Sequence, residues 1–252
     1  MRMLLQCSAS LLLCLVLAAC ASQQKLAPAQ IAAGIAPVSK PTTLALLGGT
    51  GMVGGHILQR ALARGYPLRV LSRSPEKLAY LGDRITVVAG DARDPAVIKT
   101  LLTGSDAVIS AIGPGVSAPS DLTTSVSRNV VAAMHDLELS RYLVVSGAGV
   151  ETPGDRRNFT GWASRQLARL RYPTLLRDRQ NEYALLAATD LDWTLVRCPL
   201  IESGIFAQPA QSSLETPKRF RVKAGELAEF LLDQIADPTY VQSAPFAFSG
   251  SH

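Results

Sequence analysis

A run of glycines is the first group of residues whose spacing suggests chemistry. Gly48, Gly51 and Gly54 fit the pattern G-x-x-G-x-x-G, and Gly49, Gly51 and Gly54 fit G-x-G-x-x-G. Such glycines permit a tight turn, a close backbone approach to a pyrophosphate and tight packing of a helix on a strand. The helix that follows directs free N–H groups and its positive dipole end at phosphate oxygens. We therefore predict a dinucleotide-binding loop, with a ligand-free turn as the alternative. Its expected contact residues are Gly48, Thr50, Gly51, Met52, Val53 and Gly54.

The end of the second predicted strand indicates which dinucleotide would bind. An Asp or Glu there would hydrogen-bond a free ribose 2′-hydroxyl and favour NAD. This chain has Ser72 and Arg73 instead, with Lys77 one turn later. The planar guanidinium of Arg73 suits a 2′-phosphate, because it can make charge-assisted bidentate hydrogen bonds. We therefore expect NADP (NADPH), bound in part by Ser72 and Arg73. A solvated surface arginine is the alternative.

Two further strand ends supply candidate cofactor contacts. Asp91 and Ala92 follow the third predicted strand, where an acidic side chain could reach an adenine amine. Asp91 could equally cap a local turn. Ala111 and Gly113 end the fourth strand, where small residues would let the nicotinamide half of the cofactor pass.

The elements that must position these residues alternate between short apolar runs and helical stretches. That alternation indicates a parallel sheet covered by helices on both faces. With right-handed crossovers, it is an α/β fold of the Rossmann type, a doubly wound parallel sheet. The predicted strands are 44–47, 68–71, 85–89, 107–112, 142–145, 193–196 and 244–248. The predicted helices are 52–64, 75–80 (a short helix or turn), 95–102, 122–137, 162–170, 177–189 and 224–235.

The first 41 residues are predicted to be an export signal and a tether. Arg2 supplies a positive charge, residues 4–16 are mostly apolar, and Leu17-Ala-Ala-Cys20 follows. This order is typical of a secretory signal. The ending resembles the lipobox of bacterial lipoproteins, which implies cleavage before Cys20 and a lipid on its sulfur. An ordinary signal peptide with an incidental Cys20, or translation from a downstream start, is the alternative.

We therefore expect a signal peptide at 1–19 and a lipidated Cys20 with a flexible tether at 20–41. The Rossmann domain and a small C-terminal substrate region would occupy 42–252. Loss of Arg2 with the signal leaves a net charge of +5 − 1 = +4. The expected location is the periplasmic side of a bacterial membrane. The outer membrane is favoured because Ala21, not aspartate, follows Cys20. The alternative is a cytoplasmic protein that does not use the signal.

Composition excludes several classes of protein. Apolar residues make up 48% and charged residues 18%, which is too apolar for a disordered chain. Aromatic residues are only 6%, which argues against a stacking platform for single-stranded nucleic acid. The three histidines are scattered, so we expect no metal site.

Six segments of the body carry recognisable patterns: LLGGTGMVG (46–54), VLSRSPEKL (70–78), GDARD (90–94), DAVISAIG (106–113), LVVS (143–146) and LDWTLVRCP (191–199). Together they resemble the atypical short-chain dehydrogenase/reductase superfamily, in its NAD(P)H-binding, NmrA-like and flavin-reductase-like branch. The resemblance implies an NADP domain of Rossmann type. The classical Tyr-x-x-x-Lys pair of that superfamily is missing, since Leu176 lies four residues after Tyr172 and Ala187 four residues after Tyr183.

The missing pair argues against alcohol dehydrogenase chemistry. A flavin or quinone acceptor can take protons from water, so the protein would mainly position the rings. Ser146, at the end of the fifth strand, is the catalytic candidate, with a structural loop serine as the alternative. Arg177 and Arg179 lie near positions where related proteins carry basic residues.

Three other features have plainer interpretations. Asp178 and Glu182 are spaced i, i+4, and like charges there predict a solvated helix face. Cys198 is expected to be a buried inert thiol. Seven arginines between Arg156 and Arg179 form either a soluble face or, in a tethered protein, a contact with anionic lipid headgroups.

Three functions remain open at this stage. The first is an NADPH-dependent oxidoreductase that transfers hydride to a flavin, quinone or similar small-molecule electron acceptor. The second is a non-catalytic NADP-binding sensor or assembly factor tethered to a membrane. In the third, export separates the protein from a mainly cytoplasmic cofactor, and the fold serves structure or another ligand. We expect no nucleic-acid partner.

Overall fold

The computed structural model describes residues 42–113, 119–155, 159–206, 208–216 and 219–250. The expectations for the signal peptide, Cys20 and the tether lie outside the described residues. The strands are β1 (Leu44–Leu47), β2 (Leu68–Ser72), β3 (Thr86–Ala89), β4 (Ala107–Ser110), β5 (Arg141–Gly147), β6 (Asp192–Cys198), β7 (Leu200–Glu202), β8 (Gln211–Ser213), β9 (Arg221–Lys223) and β10 (Phe246–Phe248). The α-helices are α1 (Met52–Ala63), α2 (Pro95–Leu102), α3 (Leu122–Asp136), α4 (Phe159–Arg171), α5 (Pro173–Ala187) and α6 (Ala224–Asp233), and 3₁₀ helices cover Pro75–Arg84 and Pro238–Tyr240.

Eight strands form one sheet in the order β3-β2-β1-β4-β5-β6-β10-β8. All neighbouring pairs run parallel except β10 with β8 at one edge. The order reverses between β1 and β4, which is the topological switch point of a doubly wound sheet. The predicted α/β fold of the Rossmann type is therefore confirmed. Strands β7 and β9 form a separate two-stranded parallel sheet.

Each face of the sheet carries its own apolar core. Leu44 and Leu46 of β1 pack with α1 and α6 on one face, while Ala45 and Leu47 pack with α2, α3 and α5 on the other. All four residues are fully buried. This explains why the strands are continuous apolar runs, because a parallel sheet with two covered faces leaves no polar side.

The structure differs from the sequence prediction mainly in the second half. Helix α5 begins at Pro173, four residues before the predicted start, since proline is well suited to the first helical position. The stretch 201–223, where few signals were seen, contains three strands of three residues or fewer beyond β6. Asp94 caps α2, accepting a hydrogen bond from the Ala96 N–H. Among the described residues, no helix has the length and apolar character needed to cross a bilayer.

Candidate cofactor site

The glycine loop is built by backbone contacts that no larger residue could make. Gly48 has φ +81°, and a Cβ there would lie 2.7 Å from the Ala111 carbonyl oxygen. A Cβ on Gly54 would lie 2.0 Å from the Gly48 oxygen, and the Gly51 N–H donates to that same oxygen at 2.9 Å. The loop therefore folds over itself and against the end of β4. Glycine is required here by close approach as well as by backbone conformation.

The N-terminus of α1 is open to an anion. Its cap residue is Gly51, which has no side chain to accept a hydrogen bond, and its first turn carries no acidic residue. The N–H groups of Met52, Val53 and Gly54 consequently have no acceptor within the helix. Together with the helix dipole they could bind a pyrophosphate. The residues present fit a dinucleotide at this position.

The ends of β2 and β3 lie side by side next to the loop. Ser72 is buried, and its hydroxyl accepts a hydrogen bond from the Ser74 N–H at 3.1 Å. Arg73 is exposed, and its positive charge lies close enough to Asp91 to lower the pKa of that carboxyl slightly. It is thus available to a ligand phosphate at the position where the sequence predicts one.

Asp91 occupies the turn-capping position that the sequence left as one of two options. Its carboxylate accepts hydrogen bonds from the Arg93 backbone at 2.9 Å and from the Arg93 guanidinium at 3.0 and 2.8 Å. These bonds, with a smaller effect of Arg73, lower the pKa of Asp91 to about 2. Ala92 beside it is buried. Contact of Asp91 with an adenine amine stays a prediction.

The ends of β4 and β5 are joined by a buried cation. Arg179 of α5 donates to the Ile112 carbonyl at 2.8 Å and to the Val145 carbonyl at 3.1 Å. It also pairs with Glu182 at 2.9 Å, and both side chains are more than nine-tenths buried. Ser127 of α3 donates to the other Glu182 oxygen at 2.8 Å. Hydrogen bonds around the Arg179–Glu182 pair therefore connect the ends of β4 and β5 with helices α3 and α5.

Asp178 and Glu182 are buried, so the predicted solvated face is wrong for both. Asp178 accepts hydrogen bonds from the backbone N–H and hydroxyl groups of Thr123 and Thr124, at 2.7–3.0 Å. It thereby caps the N-terminus of α3 from a neighbouring helix. These partners lie 54 and 55 residues away in the chain, which is why the i, i+4 spacing within α5 gave no sign of them.

Ser146 lies near the carboxyl end of β5, one residue beyond the Val145 carbonyl that Arg179 binds. It is 3% exposed, and its hydroxyl is one of the buried polar groups with no hydrogen-bond partner among the described residues. An unpartnered buried hydroxyl costs about 1–3 kcal/mol, so its retention points to a ligand that satisfies it.

Ala111 and Gly113 lie beyond the carboxyl end of β4. The Ala111 N–H donates to Leu47, which ties β4 to β1 directly below the glycine loop. A Cβ on Gly113 would meet nothing within 4 Å, so the chain is open there. Passage of the nicotinamide half at these two residues stays a prediction.

Two cavities flank the helices of this edge. One of about 290 Å³ lies between the starts of α3 and α5 and includes Thr123, Arg171, Tyr172 and Asp178 in its lining. A wider one of about 440 Å³ includes Tyr183, Trp193 and Arg197. Arg197 is fully buried and pairs with Asp155. Burial raises the pKa of Asp155, but the hydrogen bond and charge of Arg197 outweigh it and lower the pKa.

Cys198 is 3% exposed at the end of β6, and burial raises the pKa of its thiol to about 12. The prediction of a buried inert thiol is confirmed.

The fold and the open helix terminus define a nucleotide-binding protein, and sequence comparison specifies its class. Residues 48–238 match the family described as NAD(P)H-binding. The chain therefore belongs to the NAD(P)H-binding family, in the atypical short-chain dehydrogenase/reductase superfamily that its segments resemble. A nicotinamide dinucleotide is accordingly the class of cofactor that its site binds.

Curated relatives are diverse in name. The chain is 28% identical over 197 residues to the oxidase pynE of Aspergillus niger, covering 71% of this chain and 62% of that protein. It is 31% identical over 150 residues to (4-alkanoyl-5-oxo-2,5-dihydrofuran-3-yl)methyl phosphate reductase of Streptomyces griseus, covering 60% and 45%. It is 26% identical over 211 residues to the photosystem II assembly factor Ycf39 of Synechocystis, covering 77% and 60%. The chain thus spans less than two thirds of each of these relatives.

Solved structures with the same fold include two that this chain matches over nearly the whole of their length. A candidate exported protein from Burkholderia pseudomallei matches with a TM-score of 0.66 and 26% identity, over 82% of this chain and 99% of that one. ChuY of Escherichia coli O157:H7, described as an anaerobilin reductase, matches with a TM-score of 0.70 and 20% identity, over 84% and 98%.

Two adjacent glycines of α1 test the loop geometry. Gly54→Ala places a methyl group against the Gly48 oxygen, and overpacking of this kind costs about 1–3 kcal/mol. We expect about a tenfold or greater loss of NADPH affinity, measured by calorimetric titration. Gly55→Ala is the matched control, because the nearest atom to its Cβ is 3.9 Å away. Equal NADPH affinities in the two variants would contradict the proposed binding of the cofactor at the glycine loop.

Proposed function

We propose that this protein is an NADPH-dependent oxidoreductase that reduces a flavin, quinone or similar small acceptor. The observation that carries the proposal is Ser146, whose buried hydroxyl lacks a hydrogen-bond partner among the described residues, near the carboxyl end of β5 in the same sheet as the glycine loop. A bound NADPH would supply a hydride from its nicotinamide ring. The acceptor class follows from the absence of a Tyr-x-x-x-Lys pair, since such acceptors can take their protons from water.

The residues divide the work of binding and orientation. The open N–H groups of α1 hold the pyrophosphate, and Arg73 pairs with the ribose 2′-phosphate. Arg179 keeps the carbonyls of Ile112 and Val145 at fixed positions and would thereby help to position a bound cofactor. Ser146 donates its hydroxyl proton as a hydrogen bond to the acceptor or to the nicotinamide amide. The relatives named as an oxidase and a reductase support redox chemistry, though this chain spans only part of each.

Arg73→Ala tests the preference for NADPH. Charge-assisted hydrogen bonds contribute about 1.5–3 kcal/mol. We therefore expect NADPH to bind about ten- to a hundredfold more weakly, while NADH affinity stays the same. Arg128→Ala, which removes an exposed arginine from α3, should change neither affinity. An unchanged ratio of NADPH to NADH affinity in Arg73→Ala would overturn the assignment of the 2′-phosphate site.

Ser146→Ala tests catalysis. Oxidation of NADPH is followed at steady state with a panel of flavins and quinones. We expect the variant to lower kcat by about tenfold or more while its NADPH affinity stays near that of the unaltered protein. Ser140→Ala, at an exposed serine just before β5, serves as the control. Full activity in Ser146→Ala would remove this residue from the mechanism.

A second candidate function is a non-catalytic NADP-dependent assembly factor. The similarity to the photosystem II assembly factor Ycf39 favours it, as does the missing Tyr/Lys pair. NADPH binding with no turnover on any acceptor of the panel would select this function over the first. A partner protein whose recovery changes with NADP occupancy would give it direct support.

We further propose that the protein is exported and anchored to a bacterial membrane by lipid on Cys20. The Leu17-Ala-Ala-Cys20 ending supports this, and so does the 26% identity with a candidate exported protein. Export raises the question of what supplies NADPH outside the cytoplasm. Isolation of the protein from its native membrane, followed by identification of the bound nucleotide, answers that question.

Cys20→Ser tests the anchor. In cells fed labelled palmitate, the unaltered protein should carry label and fractionate with membranes. The variant should carry none and should retain its signal peptide, because lipid attachment precedes cleavage in lipoprotein maturation. Cys14→Ser, within the same apolar run, should behave as the unaltered protein does. Label in Cys20→Ser would contradict the anchor. Unlabelled soluble protein in both variants and the parent would overturn it as well, and fractionation would then separate an ordinary signal peptide from a cytoplasmic protein.

A further inference from the structure

Helix α4 carries several large apolar side chains that are more than half exposed to solvent. Trp162, Leu167 and Leu170 are 53%, 68% and 83% exposed, and Tyr172 just after the helix is 53% exposed. Nine large apolar residues are exposed in the described parts of the chain, and these four lie within a stretch of eleven positions. A cluster of this kind marks an interaction surface more often than scattered exposure does.

The exposed residues share one side of the helix. At 3.6 residues per turn, Trp162, Leu167 and Leu170 fall within an arc of about 140°. Arg169 and Arg171 fall at the two borders of this arc and are exposed. Arg165 and Ala168 lie on the opposite side, and Arg165 donates to the Gly149 carbonyl and pairs with Glu151. The helix is therefore tied to the domain by one side and presents an apolar stripe with basic edges on the other.

The charge around this stripe has one sign. Residues 156–177 contain six arginines and no Lys, Asp or Glu. Within the described parts of the chain, Arg169, Arg171 and Arg177 have no carboxylate partner. An apolar stripe with Trp and Tyr beside it and arginines at its borders has the composition of a helix that lies in a lipid interface.

We propose that α4, with Tyr172 and Arg177, docks on the surface of an anionic lipid bilayer. Its leucines and Trp162 would enter the boundary between headgroups and acyl chains, while the arginines would pair with lipid phosphates. A second copy of the chain fits less well, because a twofold contact would place arginines opposite arginines. The inference does not rest on the proposed reaction or on the lipid anchor.

The test uses unlipidated protein. A chain that begins at Lys40 retains every residue of both core clusters, which lie between Leu44 and Ala247. Binding is measured by sedimentation with vesicles of phosphatidylcholine alone and with vesicles in which phosphatidylglycerol replaces part of it. We expect binding to the anionic vesicles only, weakened by salt. Protein that stays in the supernatant with anionic vesicles at low salt would overturn the proposal.

The two tryptophans supply an independent readout. Trp162 is exposed and Trp193 is 4% exposed, so a shift of emission to shorter wavelength on adding anionic vesicles reports Trp162. Trp162→Phe should abolish the shift and keep most of the binding. Binding without any shift in the unaltered protein would place the contact elsewhere and overturn the assignment to α4.

Paired substitutions separate the two contributions. Leu167→Ser with Leu170→Ser, and separately Arg169→Gln with Arg171→Gln, should each lower vesicle affinity by about tenfold. Leu200→Ser with Ile205→Ser removes two equally exposed aliphatic residues elsewhere and should have little effect. Equal losses in this control and in the α4 pairs would overturn the proposal. So would a dimer, detected by analytical ultracentrifugation, that the Leu167/Leu170 pair dissociates.

Discussion

The buried pair of Arg179 and Glu182 is the interaction on which the site edge of this protein depends. Parallel strands end in carbonyls that have no partner in the sheet, and Arg179 satisfies those of Ile112 and Val145 together. Its charge is tolerable in the interior because Glu182 compensates it and Ser127 satisfies the second carboxylate oxygen. Removing one member of such a pair typically costs about 3–5 kcal/mol. The ladder between β4 and β5 ends at the pair Ser110 and Val144, and this one cation holds the two chains together just beyond it.

This arrangement changes how the missing Tyr-x-x-x-Lys pair is understood. In the superfamily that the chain resembles, a lysine on this helix brings a positive charge to the nicotinamide end of the site. Here α5 also carries a positive charge, but the N–H groups of Arg179 donate to backbone carbonyls and to Glu182. A guanidinium held in this way positions strands and does not transfer protons. The cation of this helix has a structural use and no acid–base chemistry, which agrees with the proposal of an acceptor that needs no proton from the protein.

Local pattern was sufficient for the first half of the fold and not for the second. The strands β1 to β4 are short apolar runs, and the glycine loop has a spacing with a mechanical reason, so both could be predicted. Asp178 and Glu182 could not, because their partners on α3 lie more than fifty residues away and only the folded chain brings them together. Strands β7, β8 and β9 have three residues each and draw their stability from neighbours, which leaves little periodicity to detect. The orphaned hydroxyl of Ser146 likewise exists only after β5 is buried.

The position of α4 relates the membrane to the cofactor site. The chain leaves the carboxyl end of β5 after Ser146, forms α4, and returns through α5, which carries Arg179. The smaller cavity opens beside this turn and is lined by Arg171 and Tyr172, which belong to the proposed lipid contact, and by Thr123 and Asp178. Under the proposed function, a flavin or quinone that is soluble in lipid would therefore meet the protein at the edge that carries the candidate cofactor site. The proposed lipid anchor, the basic apolar helix and a site without a Tyr/Lys pair would then act together in the reduction of an acceptor drawn from the bilayer.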